Sequence, residues 1–217
     1  MTGVQTCALP ILAFSGSNIT VTRTSDGSVD TLTKVEKLQF DDKSVIVVGS
    51  AVGSAYTTIQ SGIDAAVAGD VVLVAPGTYT GTTTVSKAVS IRGPFAGVQG
   101  IHASRSAAAG TGEATIDGLF KVTSTGSVVV DGLRFLASAT SGVSGSSNPS
   151  LQRQAASSGG NHSYVNNVFY STVAGGPNAA GNRAISFETL SSGSTTVDGN
   201  YVTGSYTGKY DTASWNR

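Results

Sequence analysis

Charge is scarce in this chain. Only 12% of its 217 residues are Asp, Glu, Lys or Arg, and 13 cations balance 13 anions. A net charge of zero gives no electrostatic basis for capturing nucleic acid or an anionic membrane surface. Cysteine is nearly absent: the single Cys7 excludes an internal disulfide. No apolar run approaches the roughly 20 residues of a membrane-spanning helix, so no membrane span is expected. Histidine occurs twice, at His102 and His162, and neither has an acid nearby in sequence, which argues against a catalytic role. Leu, Glu, Lys and Arg, the usual helix formers, are sparse. What abounds is glycine, 28 residues, with Ser and Thr throughout. That composition suits many short strands joined by tight turns.

The most patterned stretch is Thr57–Tyr79. Thr57 or Thr58 is placed to N-cap a short helix. Ile59, Ile63, Ala66 and Val67 fall on one helical face. Gly69 is expected to end the helix through a positive φ. Val71-Val-Leu-Val74 is a continuous apolar run, as in a strand buried on both faces or in a parallel sheet. Pro76-Gly77 then turns the chain.

Further strands are expected at 82–85, 89–93, 114–118, 120–123 and 128–135. Residues 94–113 form a long Gly/Ala/Ser-rich excursion, and 137–160 reads as a mobile surface loop carrying Arg153 between two glutamines. A repeat is also visible. Val130-Asp-Gly-Leu-Arg-Phe135 is echoed by Val165-Asn-Asn-Val-Phe-Tyr170 and by Val197-Asp-Gly-Asn-Tyr-Val202. Asp131, Asn166 and Asp198 lie 35 and then 32 residues apart, a solenoid period. Asp and Asn at such corners bond their own turns and tolerate left-handed backbone. Turn chemistry accounts for Asp117, Asp131 and Asp198 without a catalytic role.

The order helix, Gly69-Asp70, Val71–Val74, Pro76-Gly77-Thr78-Tyr79 resembles the first coil of right-handed parallel β-helix proteins of the pectin lyase-like superfamily. The resemblance implies an all-β solenoid whose short N-terminal helix caps the open end of the coil. Upstream, Asp30, Leu32, Val35, Glu36, Leu38, Phe40 and Asp42 fill a pattern similar to the segment that closes bacterial RTX (hemolysin-type) calcium-binding regions. That likeness implies a secreted, calcium-dependent parent. The family's Gly-Gly-x-Gly-x-Asp ligand repeats are missing here, so no metal site and no cofactor are expected within this chain, and calcium belongs to the parent. Met1–Ile11 is similar, without a break, to the translation of a common sequencing-library adapter, which would leave Cys7 outside the native protein. The domain expectation is therefore adapter residues 1–11, an RTX-type segment 12–50, and a β-helix 51–217. No capping signal precedes Arg217, so the solenoid is expected to continue beyond it.

Enzymes of that superfamily set acids and Arg or Lys on one exposed sheet. A lyase needs a cation against the uronate carboxylate and a base for the C5 proton, and a hydrolase needs paired carboxyls. The candidates that meet any part of this are few. Arg134, between Leu133 and Phe135, should point outward from a strand, as should Arg92. Glu188 follows Phe187 in a predicted strand, and Asp211 lies near the end. Tyr210, Trp215 and Arg153 are candidate sugar contacts. Glu113 reads as isolated. The Asp-Pro-His, Gly-His-Gly and Arg-x-Pro-x-x-Arg signatures of epimerases, polygalacturonases and pectate lyases do not occur. The expectation is a non-catalytic module at an extracellular or cell-surface location, with polysaccharide or matrix as partner. The alternative is a polyuronate lyase, epimerase or glycoside hydrolase whose site lies mostly outside this chain.

Overall fold

The computed structural model describes residues 11–138, 150–154, 157, 159–172, 184–188 and 191–204. Strands β1 (Ile11–Ser15), β2 (Asn18–Thr22) and β3 (Val29–Thr33) form an antiparallel three-stranded sheet. Its first strand opens on Ile11, the last adapter-like residue. β4 (Lys37–Gln39) then folds back on β5 (Ser44–Val48). Helix α1 (Ile59–Ala65) follows.

From there the chain winds as a parallel β-helix, one strand per sheet in each coil. The first coil is β6 (Val71–Val74), β7 (Gly77–Thr80) and β8 (Thr83–Val85). The second is β9 (Ser90–Arg92), β10 (Ala114–Asp117) and β11 (Phe120–Val122). The third is β12 (Val129–Asp131), β13 (Arg134–Ala137) and β14 (Leu151–Arg153). The fourth is β15 (Asn161–Val165), β16 (Val168–Ser171) and β17 (Ile185–Phe187). β18 (Ser194–Asp198) and β19 (Tyr201–Gly204) add a further rung to two of the sheets. Every pairing from β5–β6 onward is parallel. Each coil therefore satisfies the backbone of the one beneath it.

Period-2 alternation decides which side chains enter the lumen. Val72, Ile91, Val130 and Tyr164 form one inward ladder, and Ile116, Phe135 and Phe169 another. Phe135 stacks on Phe169 with centroids 4.8 Å apart and planes 9° from parallel. That spacing matches the inter-strand distance, so the coil rise itself brings identical rings into stacking contact.

The apolar run Val71–Val74 is buried on both faces, as its pattern requires. Val72 and Val74 face the lumen, while Val71 and Leu73 pack outward with Val45, Val47 and Ile19. Leu12, Phe14, Val21 and Leu32 of the N-terminal sheet border this second core. The N-terminal block thus jackets the first coil. β5 pairs with β6 in the solenoid's largest sheet, so that sheet runs across residue 50 without a break.

Seven residues cannot hold a helix alone. α1 is held by burying Ile59 and Ile63, joined by Ala66, on Ile46, Val48 and Val72. It is started by a capping box in which Thr58 accepts from Ser61 N. Its exit differs from the sequence expectation. Ala66 is already extended, Val67 is 65% exposed, and Gly69 (φ 95°) belongs to the following turn. Lys87 Nζ caps the helix end instead, donating to the carbonyls of Ile63, Asp64 and Ala66 at 2.7–3.0 Å.

Candidate functional site

The corner after β12, β15 and β18 carries a ladder of polar side chains. Its register departs from the repeat read in sequence. Val130 pairs with Tyr164 and Tyr164 with Val197, steps of 34 and 33 residues. The left-handed corner position is held by Gly132 (φ 72°), Asn166 (φ 55°) and Gly199 (φ 63°). Asn166 therefore aligns with the glycines, not with Asp131 and Asp198, because the backbone conformation sets the register. One place later stand Leu133, Asn167 and Asn200. Asn167 Oδ1 accepts from Leu133 N (3.0 Å) and its Nδ2 donates to Val130 O (3.0 Å). Asn200 Oδ1 accepts from Asn167 N (2.8 Å) and its Nδ2 donates to Tyr164 O (2.7 Å). This ladder supplies the partners that bent backbone cannot find in the sheets.

The 94–113 excursion lies over that corner as a strap. Its anchor is Arg105. Nε and Nη2 donate to Glu113 Oε1 and Oε2 at 2.8 and 3.0 Å, with both side chains fully buried. The same guanidinium donates to the carbonyls of Val98 (3.0 Å), Leu133 (3.2 Å) and Asn166, and lies 4.9 Å from the Phe95 ring centroid. Glu113 is thus a buried partner, not the isolated acid its sequence context suggests. Gly97 N donates to Asp131 Oδ1 (3.0 Å), and Gly100 N donates to Gly199 O (2.7 Å).

Arg134 does point away from the lumen, but the strap covers it, and it is 5% exposed. Nε donates to Ala107 O (2.7 Å), Nη2 to Ala108 O (3.2 Å) and Nη1 to Thr115 Oγ1 (3.2 Å). Its guanidinium backs the Tyr170 ring at 5.4 Å. A cation so enclosed is not presented to a sugar acid on the surface.

Arg153 departs further from expectation. It is on strand β14, not on a surface loop, and it is fully buried. The alternation Leu151 in, Gln152 out, Arg153 in turns it toward the lumen. Nε donates to Ser157 Oγ (3.0 Å), Nη2 to Ser157 O (3.3 Å) and Gly160 O (2.8 Å), and Nη1 to Ser194 O (2.5 Å) and Thr195 Oγ1. Burial lowers its pKa from the ordinary arginine value, with Tyr164 pulling the other way. A sugar contact through Arg153 is therefore excluded by its position.

His162 and Tyr164 share this part of the lumen. His162 belongs to strand β15, not to a loop, and is 1% exposed. Its rings stack with Tyr164 at 6.3 Å, and Tyr164 stacks with Phe187 at 6.0 Å. Among the described residues, neither ring nitrogen of His162 nor the Tyr164 hydroxyl makes a hydrogen bond of ordinary geometry. Burial, then the Arg153 charge, push His162 down to about 4, against a weaker pull from the Ser157 backbone. Burial raises the Tyr164 phenol.

The outer faces are plainer. Thr84, Lys121 and Gln152 stand in register on the sheet of β8, β11 and β14. Gln152 Nε2 donates to the exposed Glu188 Oε1 (2.7 Å) just past β17. Arg92 is exposed on β9. His102 is exposed on the strap, its Nδ1 accepting from Ser104 N (3.2 Å). Asp117 Oδ1 accepts from Ser138 Oγ (2.7 Å). Tyr210, Asp211 and Trp215 lie outside the described residues. Among the described residues no three His, Cys, Asp or Glu side chains group as metal ligands. Arg134 is on β13, whereas Glu188 follows β17 of another sheet. No family model, curated protein or solved structure matches the chain.

Proposed function

We propose that this chain is a non-catalytic β-helix module of a secreted or cell-surface bacterial protein that presents a rigid polar face to polysaccharide. We further propose that the solenoid is of the pectin lyase-like type, and that residues 12–50 derive from an RTX-type segment of a calcium-dependent parent. One observation carries the functional reading. Two of the three arginines that sequence offers for an acidic sugar, Arg134 and Arg153, are buried and committed to backbone carbonyls, and Arg92 stands alone outward on β9. What remains outward on β8, β11 and β14 is Thr84, Lys121 and Gln152, one residue per coil. Rungs about 4.8 Å apart suit weak, repeated contacts along an extended polymer, since many such contacts sum to avidity.

The test uses polygalacturonate and alginate, each with and without calcium. Affinity electrophoresis reads binding, and ultraviolet absorbance of unsaturated products reads cleavage. Retardation in a polymer-containing gel with no product is the expected result. Product formation would replace this reading with an enzymatic one. Unretarded migration in both polymers would reject polysaccharide as the partner.

A further inference from the structure

The lumen between the third coil and β18 contains a titratable group whose surroundings favour its neutral form. His162 enters it from β15, beside Val128 of the coil below and Thr195 of β18 above. Its Nε2 occupies the space where a Cβ on Gly160 would stand, so glycine is required there. Arg153 of β14 bonds two of the imidazole's neighbours. Gly160 O takes Nη2 on one side, and Thr195 Oγ1 takes Nη1 on the other. Tyr164 faces His162 from its own strand, and Phe187 of β17 closes the stack behind Tyr164. Ser157, in the turn before β15, is occupied by Arg153. Among the described residues no carboxylate hydrogen-bonds to Arg153 or His162. A proton on His162 would therefore add a second positive charge to an apolar lumen that already holds one. Such a charge is costly without a partner.

We propose that His162 is an acid-sensitive latch, whose protonation loosens the coils around β14, β15 and β18 while the first coils hold. Nearest-neighbour stacking in a solenoid allows such local opening. The sign follows from the base being depressed in the folded chain. Neutral His162 stabilises the closed coils above the ordinary histidine value of 6.5, and that contribution is lost as pH falls from 6.5 toward about 4. The latch is independent of what the outer face binds.

Hydrogen exchange of the whole chain at pH 7 and pH 5, corrected for intrinsic rates, tests it. Protection in 151–154, 161–165 and 194–204 should fall about tenfold at pH 5, with 45–92 unchanged. His162→Gln should remove that pH dependence. Equal pH dependence in both proteins, or equal loss in the first coils, would overturn the proposal. If His162→Gln does not fold, NMR titration of the parent decides, with His102→Gln used for assignment. A His162 ring that stays neutral to below pH 5 supports the latch. Titration near 6.5 without loss of protection overturns it.

Discussion

Removing Glu113 should free the strap. The buried Arg105–Glu113 pair is the only charge compensation drawn by that guanidinium from the described residues, and its remaining donors go to the carbonyls of Val98, Leu133 and Asn166. Glu113→Gln keeps the side-chain shape and leaves Arg105 a buried, unbalanced cation. Breaking a buried pair from one side costs about 3–5 kcal/mol. The lower end, about 3 kcal/mol, applies because the three carbonyls still solvate the guanidinium. In a chain of this size that is roughly a 6–12 °C fall in melting temperature if unfolding is cooperative. Solenoids also open locally, so limited proteolysis within residues 94–113 should accelerate in parallel. Arg105→Met should cost as much, since it strands Glu113 and the carbonyls of Val98 and Asn166. The double variant Arg105→Met/Glu113→Leu removes both charges and should be much less destabilised than the sum of the singles. A Glu113→Gln variant within about 0.5 kcal/mol of the parent would place the pair among ordinary surface ion pairs and refute this account of the strap.

Gly132→Ala should cost roughly 3 kcal/mol, combining left-handed strain with a Cβ that would fall on the Phe95–Ala96 backbone of the strap. Asn166→Gly at the equivalent corner should cost only about 1 kcal/mol, the loss of the Nδ2 bond to Asp131, and urea midpoints compare the two. Asn167→Ala should cost about 1–3 kcal/mol, because it orphans the buried Leu133 N–H and removes a second bond to Val130 C=O. Asn200→Ala, in a less buried rung, should cost less in the same thermal melt.

The solenoid was legible because its strands obey short-range rules. Val71-Val-Leu-Val74 declares burial on both faces, and the structure supplies both. The identity of the outer cover was not legible, since Ile19 and Phe14 lie more than fifty residues upstream and nothing local links them to Leu73. The corner repeat was visible but misaligned by one residue at Asn166. Residue type suggested matching Asn with Asp, whereas the backbone matches Asn166 with Gly132 and Gly199 through φ. Arg153 carried a usable signal. Leu151-Gln-Arg153 alternates, and with Leu inward the arginine must also turn inward. Its Ser/Gly/Ala-rich flanks hid the strand. Arg105 and Glu113 carried none, because an irregular excursion has no period from which to infer that its ends meet.

Arg105, Arg134 and Arg153 share one use. Backbone in the strap and at the coil corners leaves the parallel ladders and needs partners beyond the strands. The guanidinium offers five donors in a rigid fork, so a single side chain reaches several carbonyls at once. Arg105 takes Val98, Leu133 and Asn166; Arg134 takes Ala107 and Ala108; Arg153 takes Ser157, Gly160 and Ser194. Lysine, a point charge with three donors, could not replace any of them at equal stability. This demand ties up three of the chain's arginines in holding coils together. Among the described residues of the coils, Lys121 and Arg92 point outward, on β11 and β9, strands of different sheets. Uronate cleavage needs a cation and a base focused on one sugar, and cations set on separate faces do not converge. On the polysaccharide-binding role proposed above, cations so dispersed would each make weak contact with a different sugar of a long polymer, in keeping with arginines committed to holding the coils together.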